Sequence, residues 1–378
     1  LTTSTKSCKK GKLKKIDVRV LEGLALYSPR NKSKISEKIG IPLGTLRYRI
    51  GYLRSNFSLL MPGNIYHTNI GLRKAVVFAE SKPGYEDVLY QCLKANDFWL
   101  YMSQCIGSSK VLAVYGIPAG KEGMFQEFLD IAKQEGPASG IEYSWSTSFQ
   151  SVNATKAWYN QTSEEWTFPW GSWLEEIYNA KTDLPYTLND PDAYLQKADW
   201  ADIIILKEME KDCTIRLKAL SKILGITLQG VRYHFENHIM KGRLFEGQQI
   251  LAEHFKGLSP ETYYFRFKFK GHPNFAKFAY SLMNKPFVRA EGKVCGSNEL
   301  FAQIYLPRAE IRNFLDIASK LVKEGFMETY DYVIQDLTRT ERQTISYECL
   351  KEKQWEYDHA KFLDKLRSIA ASLPKAAA

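Results

Sequence analysis

The chain has 378 residues, 44% apolar and 25% charged, which is ordinary for a water-soluble protein and long enough for two to four domains of ~100–200 residues. No apolar run approaches the ~18 residues of a membrane span, and no apolar segment follows the first lysines, so neither a membrane protein nor a signal peptide is expected. The net charge of +10 is concentrated at one end: residues 1–60 hold fourteen Lys/Arg against three Asp/Glu. Six scattered cysteines, without a CxxC pair, fit reduced thiols in a cytoplasmic protein and exclude a cysteine-built zinc site.

The first 15 residues form a basic arm with Lys6, Lys9, Lys10, Lys12, Lys14 and Lys15. A helical period then starts at Ile16, with Val20, Leu21 and Leu24, and stops at Ser28-Pro29; Pro cannot continue a helix. A second short helix spans 33–39, closed by Gly40. A third begins near Pro42 and places Leu43, Leu46, Ile50 and Leu53 on one stripe, so Tyr48 points outward. Two short helices around a glycine turn predict a helix-turn-helix. The stretch recurs 185 positions later as Ile226-Thr-Leu-Gln-Gly-Val-Arg-Tyr-His-Phe235, with Leu228, Val231 and Phe235 predicted inside.

Alternating apolar residues predict strands over 74–80, 98–106, 110–117 and 141–148, with helices over 85–94 and 121–134. The same β-α-β-β-α-β order is predicted over 262–336. An aromatic stretch around Trp158, Trp166, Trp170 and Trp173 follows the first copy, and 355–363 answers it loosely; both read as packing. The expected organisation is a basic arm (1–15), helix-turn-helix 1 (16–62), ferredoxin-like domain 1 (63–150) and an aromatic-rich tail (151–198). Helix-turn-helix 2 (199–250), ferredoxin-like domain 2 (251–337) and a C-terminal tail with a helix (338–378) complete it. The fold class is α+β, with two winged or helix-turn-helix domains and two ferredoxin-like βαββαβ domains in a tandem pseudo-dimer.

This module order, together with Asp17 ahead of Val20-Leu21 and a glycine in the turn between the second and third strands, resembles the Lrp/AsnC family of bacterial and archaeal transcription regulators. The ferredoxin-like domains are then of RAM type. The resemblance implies a non-enzymatic, sequence-specific regulator with double-stranded DNA as partner, acting as a monomeric pseudo-dimer or a homodimer. The implied DNA-binding residues are Lys12, Lys14, Lys15, Gly44, Thr45, Arg47, Tyr48 and Arg49 in the first half, and Thr227, Gln229, Arg232, Tyr233 and His234 in the second. The uneven charge predicts a pseudo-palindromic site with one dominant half, and the aromatic tail is a candidate contact with the basal transcription machinery. Effector-sensing members resemble a Gly-x-x-Asp pattern in that turn; Lys110 and Glu299 stand there instead, which puts a small-molecule effector in doubt.

Two other classes compete. Sirohaem decarboxylases resemble the same family and are expected to bring His and Arg to a tetrapyrrole pocket in the sheet domain. Residues 72–148 contain no His and residues 262–336 only His272, which argues against this enzyme. A non-specific architectural DNA-binding protein would suit the lysine arm. His234 and His238 have i,i+4 spacing without a recognisable third ligand and are read as polar helix residues, so no metal and no cofactor are expected. No P-loop, dinucleotide motif or nucleophilic triad is present in the sequence.

Overall fold

The apolar stripes of each half select three helices, a split β-α-β-β-α-β unit and a tail. The computed structural model describes residues 12–153 and 155–371; Lys6, Lys9 and Lys10 of the arm lie outside them. In the first half α1 (Lys15–Leu26), α2 (Lys32–Ile39) and α3 (Leu43–Phe57) form the helix-turn-helix. Gly40 takes φ 61° at the end of α2, a left-handed cap that glycine adopts without a Cβ clash. The chain continues through β1 (Gly63–Ile65), β2 (Leu72–Ser81), α4 (Glu86–Lys94), β3 (Trp99–Ile106), β4 (Lys110–Pro118), α5 (Glu122–Gln134), β5 (Ala138–Ser146) and β6 (Gln150–Ser151). Its tail holds the two-residue strands β7 (Tyr159–Asn160) and β8 (Glu165–Trp166) and then α6 (Trp170–Asn179).

The second half repeats this with α7 (Trp200–Lys211), α8 (Leu217–Leu224), α9 (Leu228–Tyr233), β9 (Phe245–Gln248), β10 (Pro260–Lys268), α10 (His272–Leu282), β11 (Val288–Lys293), β12 (Glu299–Pro307), α11 (Ile311–Lys323) and β13 (Thr329–Arg342). β14 (Leu350–Lys351), β15 (Gln354–Trp355) and α12 (His359–Ala370) end it. The fold is therefore the α+β tandem of two helix-turn-helix and two ferredoxin-like units.

The halves interlock at three levels. β1 pairs antiparallel with β9, so the strands leaving the two helical modules join each other. The two sheets fuse into one of nine strands, ordered β5-β2-β4-β3-β13-β10-β12-β11-β6. β13 does this by pairing with β10 over its first part and with β3 over its second. At the other edge β5 runs on into β6, which pairs with β11, and Ser146 bridges Val294; the strands thus close on themselves as a barrel. Along β2, Ala75, Val77 and Ala79 pack with the helices, whereas Val76 joins Leu112, Val114, Tyr264 and Phe301 inside the barrel, as the period of two requires. The ring centroids of Phe78 and Tyr264 lie 6.0 Å apart across that interior.

The tails are exchanged. α6, from the first half, packs on α10 and α11 of the second. Trp173 is stacked on Phe314 with centroids 5.6 Å apart, and Trp170 Nε1 donates to Glu310 at 2.7 Å. α12, from the second half, packs on α4 and α5 of the first, with Lys361 and Lys365 on Asp97 at 2.8 and 2.7 Å. The aromatic tail is thus an internal packing element.

Candidate active site between the two sheets

The barrel interior opens into a cavity of about 340 Å³, at the lower end of the ~300–1,000 Å³ typical of ligand sites. β2 contributes Lys74, the loop before it His67, and β1 Asn64. β3 gives Tyr101, β10 Tyr264, β11 Glu291 and Gly292, and β12 Gln303. Glu210 and Lys211 enter from the C-terminus of α7, and Arg342 from the end of β13. Lys74, His67 and Glu291 are buried whereas Lys211 and Arg342 are exposed, so the cavity runs from a basic mouth to an enclosed floor.

The floor is polar and incompletely satisfied. Tyr264 Oη, both Glu291 carboxyl oxygens, His67 Nε2 and Glu246 Oε1 are buried without a hydrogen-bond partner in the protein. Lys74 Nζ sits 4.5 Å from the Phe149 ring centroid and forms no ion pair among the described residues. Such groups ordinarily cost ~1–3 kcal/mol each, and their concentration around one cavity is a mark of a ligand site. Gly292 lets Phe149 close over Lys74: a Cβ there would lie 2.3 Å from Phe149 Cδ1.

Burial sets the protonation states. Desolvation pushes Glu210 up to about 8, against the Ile345 N–H and Lys74. Glu210 is half-buried and lines the cavity. Glu246, hydrogen-bonded by Asn64, is likewise pushed up to about 8, and Glu291 is raised well above the carboxylate range by burial. Burial lowers Lys74, with Glu246 and Glu210 opposing. His67 is held well below its usual value by desolvation and then by Lys74. Its Nδ1–H donates to Ile65 O at 2.9 Å, which leaves Nε2 with a free lone pair.

The pseudo-equivalent ground in the other half is filled. His254 also places Nδ1 near the carbonyl two residues back, Ala252 O at 3.1 Å, but Nε2 lies 2.7 Å from Pro286 O. Trp166, Phe255 and Tyr305 surround its ring at centroid distances of 5.5, 4.2 and 5.3 Å. Thr262 stands where β2 has Lys74, since Leu72 and Pro260 face Pro118 and Pro307 in the two registers.

The sequence-predicted DNA-binding residues lie elsewhere, on the helical modules, and the structure does not gather them at this cavity. Tyr48 is 67% and Tyr233 56% exposed, and Gly44, Arg47, Gln229 and Arg232 are also on the surface, with Thr45 half-buried. Three others are engaged internally. Arg49 turns inward to the buried Asp17 at 3.5 Å, His234 Nδ1 meets the buried Asp202 at 2.8 Å, and Thr227 caps Gly230 N–H at 3.1 Å. In the arm, Lys12 pairs with Glu165 at 3.1 Å, while Lys14 and Lys15 remain exposed. Leu228, expected inside, is 42% exposed, because α9 is short and Val231 alone carries its inward face. His67 and His254 escape the sequence search because they precede the sheet windows by a few residues.

The sequence matches no protein-family model and no curated protein. The fold defines a tandem α+β protein with paired helix-turn-helix and ferredoxin-like units. Among solved structures of this architecture, siroheme decarboxylase NirDL is similar over 94% of this chain and 98% of its own, at 10% identity and a TM-score of 0.50. The same enzyme in complex with an iron-uroporphyrin III analogue covers 94% and 99%, at 9% identity and a TM-score of 0.50. A transcriptional regulatory protein of the AsnC family from Pyrococcus furiosus covers 35% of this chain and 88% of its own, at 17% identity and a TM-score of 0.26.

The expectation of a non-enzymatic DNA-binding regulator, with a small-molecule effector in doubt, is corrected by the match to siroheme decarboxylase NirDL over most of the chain. The architecture matched over 94% of the chain is that of siroheme decarboxylase NirDL. The argument from missing histidines fails as well, since His67 lines the cavity. No helix among the described residues is long and apolar enough to cross a membrane.

Proposed function

We propose that this chain is a decarboxylase acting on a polycarboxylate tetrapyrrole of the sirohaem type, bound with one edge in the inter-sheet cavity. The observation that carries the reading is the floor of Lys74, His67, Tyr264 and Glu291, a cation and hydrogen-bonding atoms left without partners beside three carboxyls that burial keeps neutral. An incoming carboxylate supplies the missing counter-charge, and Lys211 and Arg342 suit further carboxylates at the mouth. The full-length likeness to siroheme decarboxylase NirDL supports the same reading.

The reaction needs no oxidant. In a ring-bound acetate the bond between methylene and carboxylate carbons breaks, CO₂ leaves, and the electron pair remains on the methylene carbon conjugated to the pyrrole. One proton added there gives a methyl group. Glu210, protonated up to about pH 8 and close to the working pH, suits the donor role better than Glu291, whose proton is held too tightly. Phe149 over Lys74 keeps water from the floor. Incubating the protein with sirohaem under anaerobic conditions and weighing the product by mass spectrometry tests this. Loss of one or more CO₂ per molecule is expected, and recovery of unchanged sirohaem after binding counts against the enzymatic role.

A further inference from the structure

Outside the cavity, the second helical module gathers four side chains able to ligate a metal. We propose that Asp199, Asp202, His234 and His238 form a divalent-cation site, suited to Zn(II), that staples the start of α7 to the helical turn following α9. One ligand atom from each of the four lies within 4.8 Å of all the others. His234 Nδ1 and His238 Nδ1 are 2.8 and 3.1 Å from the two oxygens of Asp202, and each is 3.8 Å from an oxygen of Asp199. Zinc bonds of about 2.0–2.2 Å put the corners of a tetrahedron roughly 3.3–3.6 Å apart, which falls between these separations. Two imidazoles with two carboxylates suit zinc better than magnesium or calcium, which prefer all-oxygen shells.

The site is held ready by its own backbone. Asp202 N–H donates to Asp199 Oδ1 and Asp199 N–H to Asp202 Oδ2, both at 3.0 Å, so the N-terminal cap of α7 fixes both carboxylates. Residues His234–Met240 wind as a π-helix, a rare form that is frequent at functional sites, and it leaves the two imidazole rings 4.7 Å apart. Asp202 is fully buried, whereas Asp199 and both histidines are partly exposed, so an ion can enter from solvent.

The first half supplies the comparison. There Lys14, Asp17, Arg49 and Leu53 occupy the corresponding positions, and Arg49 alone answers the buried carboxylate. The helix continues in α form to Phe57. Three of the four positions differ in the second half, and all three differences install a metal-ligating side chain. A purely structural pairing needs one cation, as the first half demonstrates; a second carboxylate and a second imidazole are surplus to it.

The test is metal uptake by the full chain, stripped with a chelator and offered Zn(II) or Co(II) alone. About one zinc per chain is expected, together with the visible absorption bands of tetrahedral cobalt. The variants His238→Leu and D199K/H234R/H238L, built from residues the first half already accommodates, are expected to lose both. A featureless cobalt spectrum from the unsubstituted chain overturns the proposal whether or not a variant folds, and so does unchanged zinc uptake by the triple variant. Neither readout depends on the tetrapyrrole.

Discussion

His67 and His254 occupy the same point of the two halves, and each turns Nδ1 to the carbonyl two residues before it, at 2.9 and 3.1 Å. One borders a polar cavity with Nε2 free; the other is locked among aromatic rings and a second carbonyl. The duplicated barrel is therefore open at one end and packed at the other.

The cavity floor should trade stability against binding. Tyr264→Phe removes a buried hydroxyl that has no partner, and unfolding by denaturant is expected to show a gain of about 1 kcal/mol. The same variant should bind sirohaem roughly tenfold more weakly, the equivalent of ~1.4 kcal/mol. A loss of stability would mean that the hydroxyl has a protein partner.

Gly292→Ala probes the cover over Lys74. Its Cβ would fall 2.3 Å from Phe149 Cδ1 and 3.0 Å from Ser146 Oγ, so the ring must move. Overpacking of this kind costs ~1–3 kcal/mol, and the displaced ring should admit water and weaken ligand binding. Unchanged affinity would show that Phe149 takes no part.

Stability should depend on pH with a definite sign. Glu210 and Glu246 rise from 4.5 to about 8 on folding. Below about pH 4.5 both states hold these protons; between there and pH 8 only the folded state does, so stability falls as pH rises. His254, lowered from 6.5 to about 4, acts oppositely: the unfolded chain takes up its proton below 6.5, so its own contribution falls as pH drops towards 4. The two carboxyls outweigh His254, so melting temperatures should fall from about pH 5 to pH 8, and the double variant E210Q/E246Q should flatten that fall.

The exchanged tails make the halves interdependent. Phe362, in the last helix, is buried in the first half beside Phe98 and Tyr357. Phe362→Ala should cost ~3–5 kcal/mol. Residues 1–198 and 199–378 expressed apart should be poorly folded and recover on mixing, as near- and far-ultraviolet circular dichroism would record.

Local pattern carried much of this fold. The period-two segments marked every strand of the first βαββαβ unit within a few residues, and Leu46, Ile50 and Leu53 are buried as the helical wheel requires. Non-local pairing was out of reach. β13 runs to Arg342, beyond the expected limit at 336, because its partner there is β3 of the other half. An amphipathic helix such as α12 announces an apolar face without naming what covers it. At the site, Arg49 sits on the shoulder of the wheel, yet its long side chain returns to Asp17. The signal for the cavity lay in aligning Ile65-Tyr66-His67 with Ala252-Glu253-His254, which sets the two histidines seven and eight residues ahead of the equivalent Lys74 and Thr262.

The most direct test of the account is an anaerobic titration of the full chain with sirohaem, followed by its visible absorption, in parallel with Lys74→Met. The account predicts a saturable spectral change at one equivalent per chain for the native protein, and a loss of at least about tenfold in affinity for the variant with its melting temperature retained. A native protein that leaves the sirohaem spectrum unchanged, or a Lys74→Met variant that binds equally well, would contradict it.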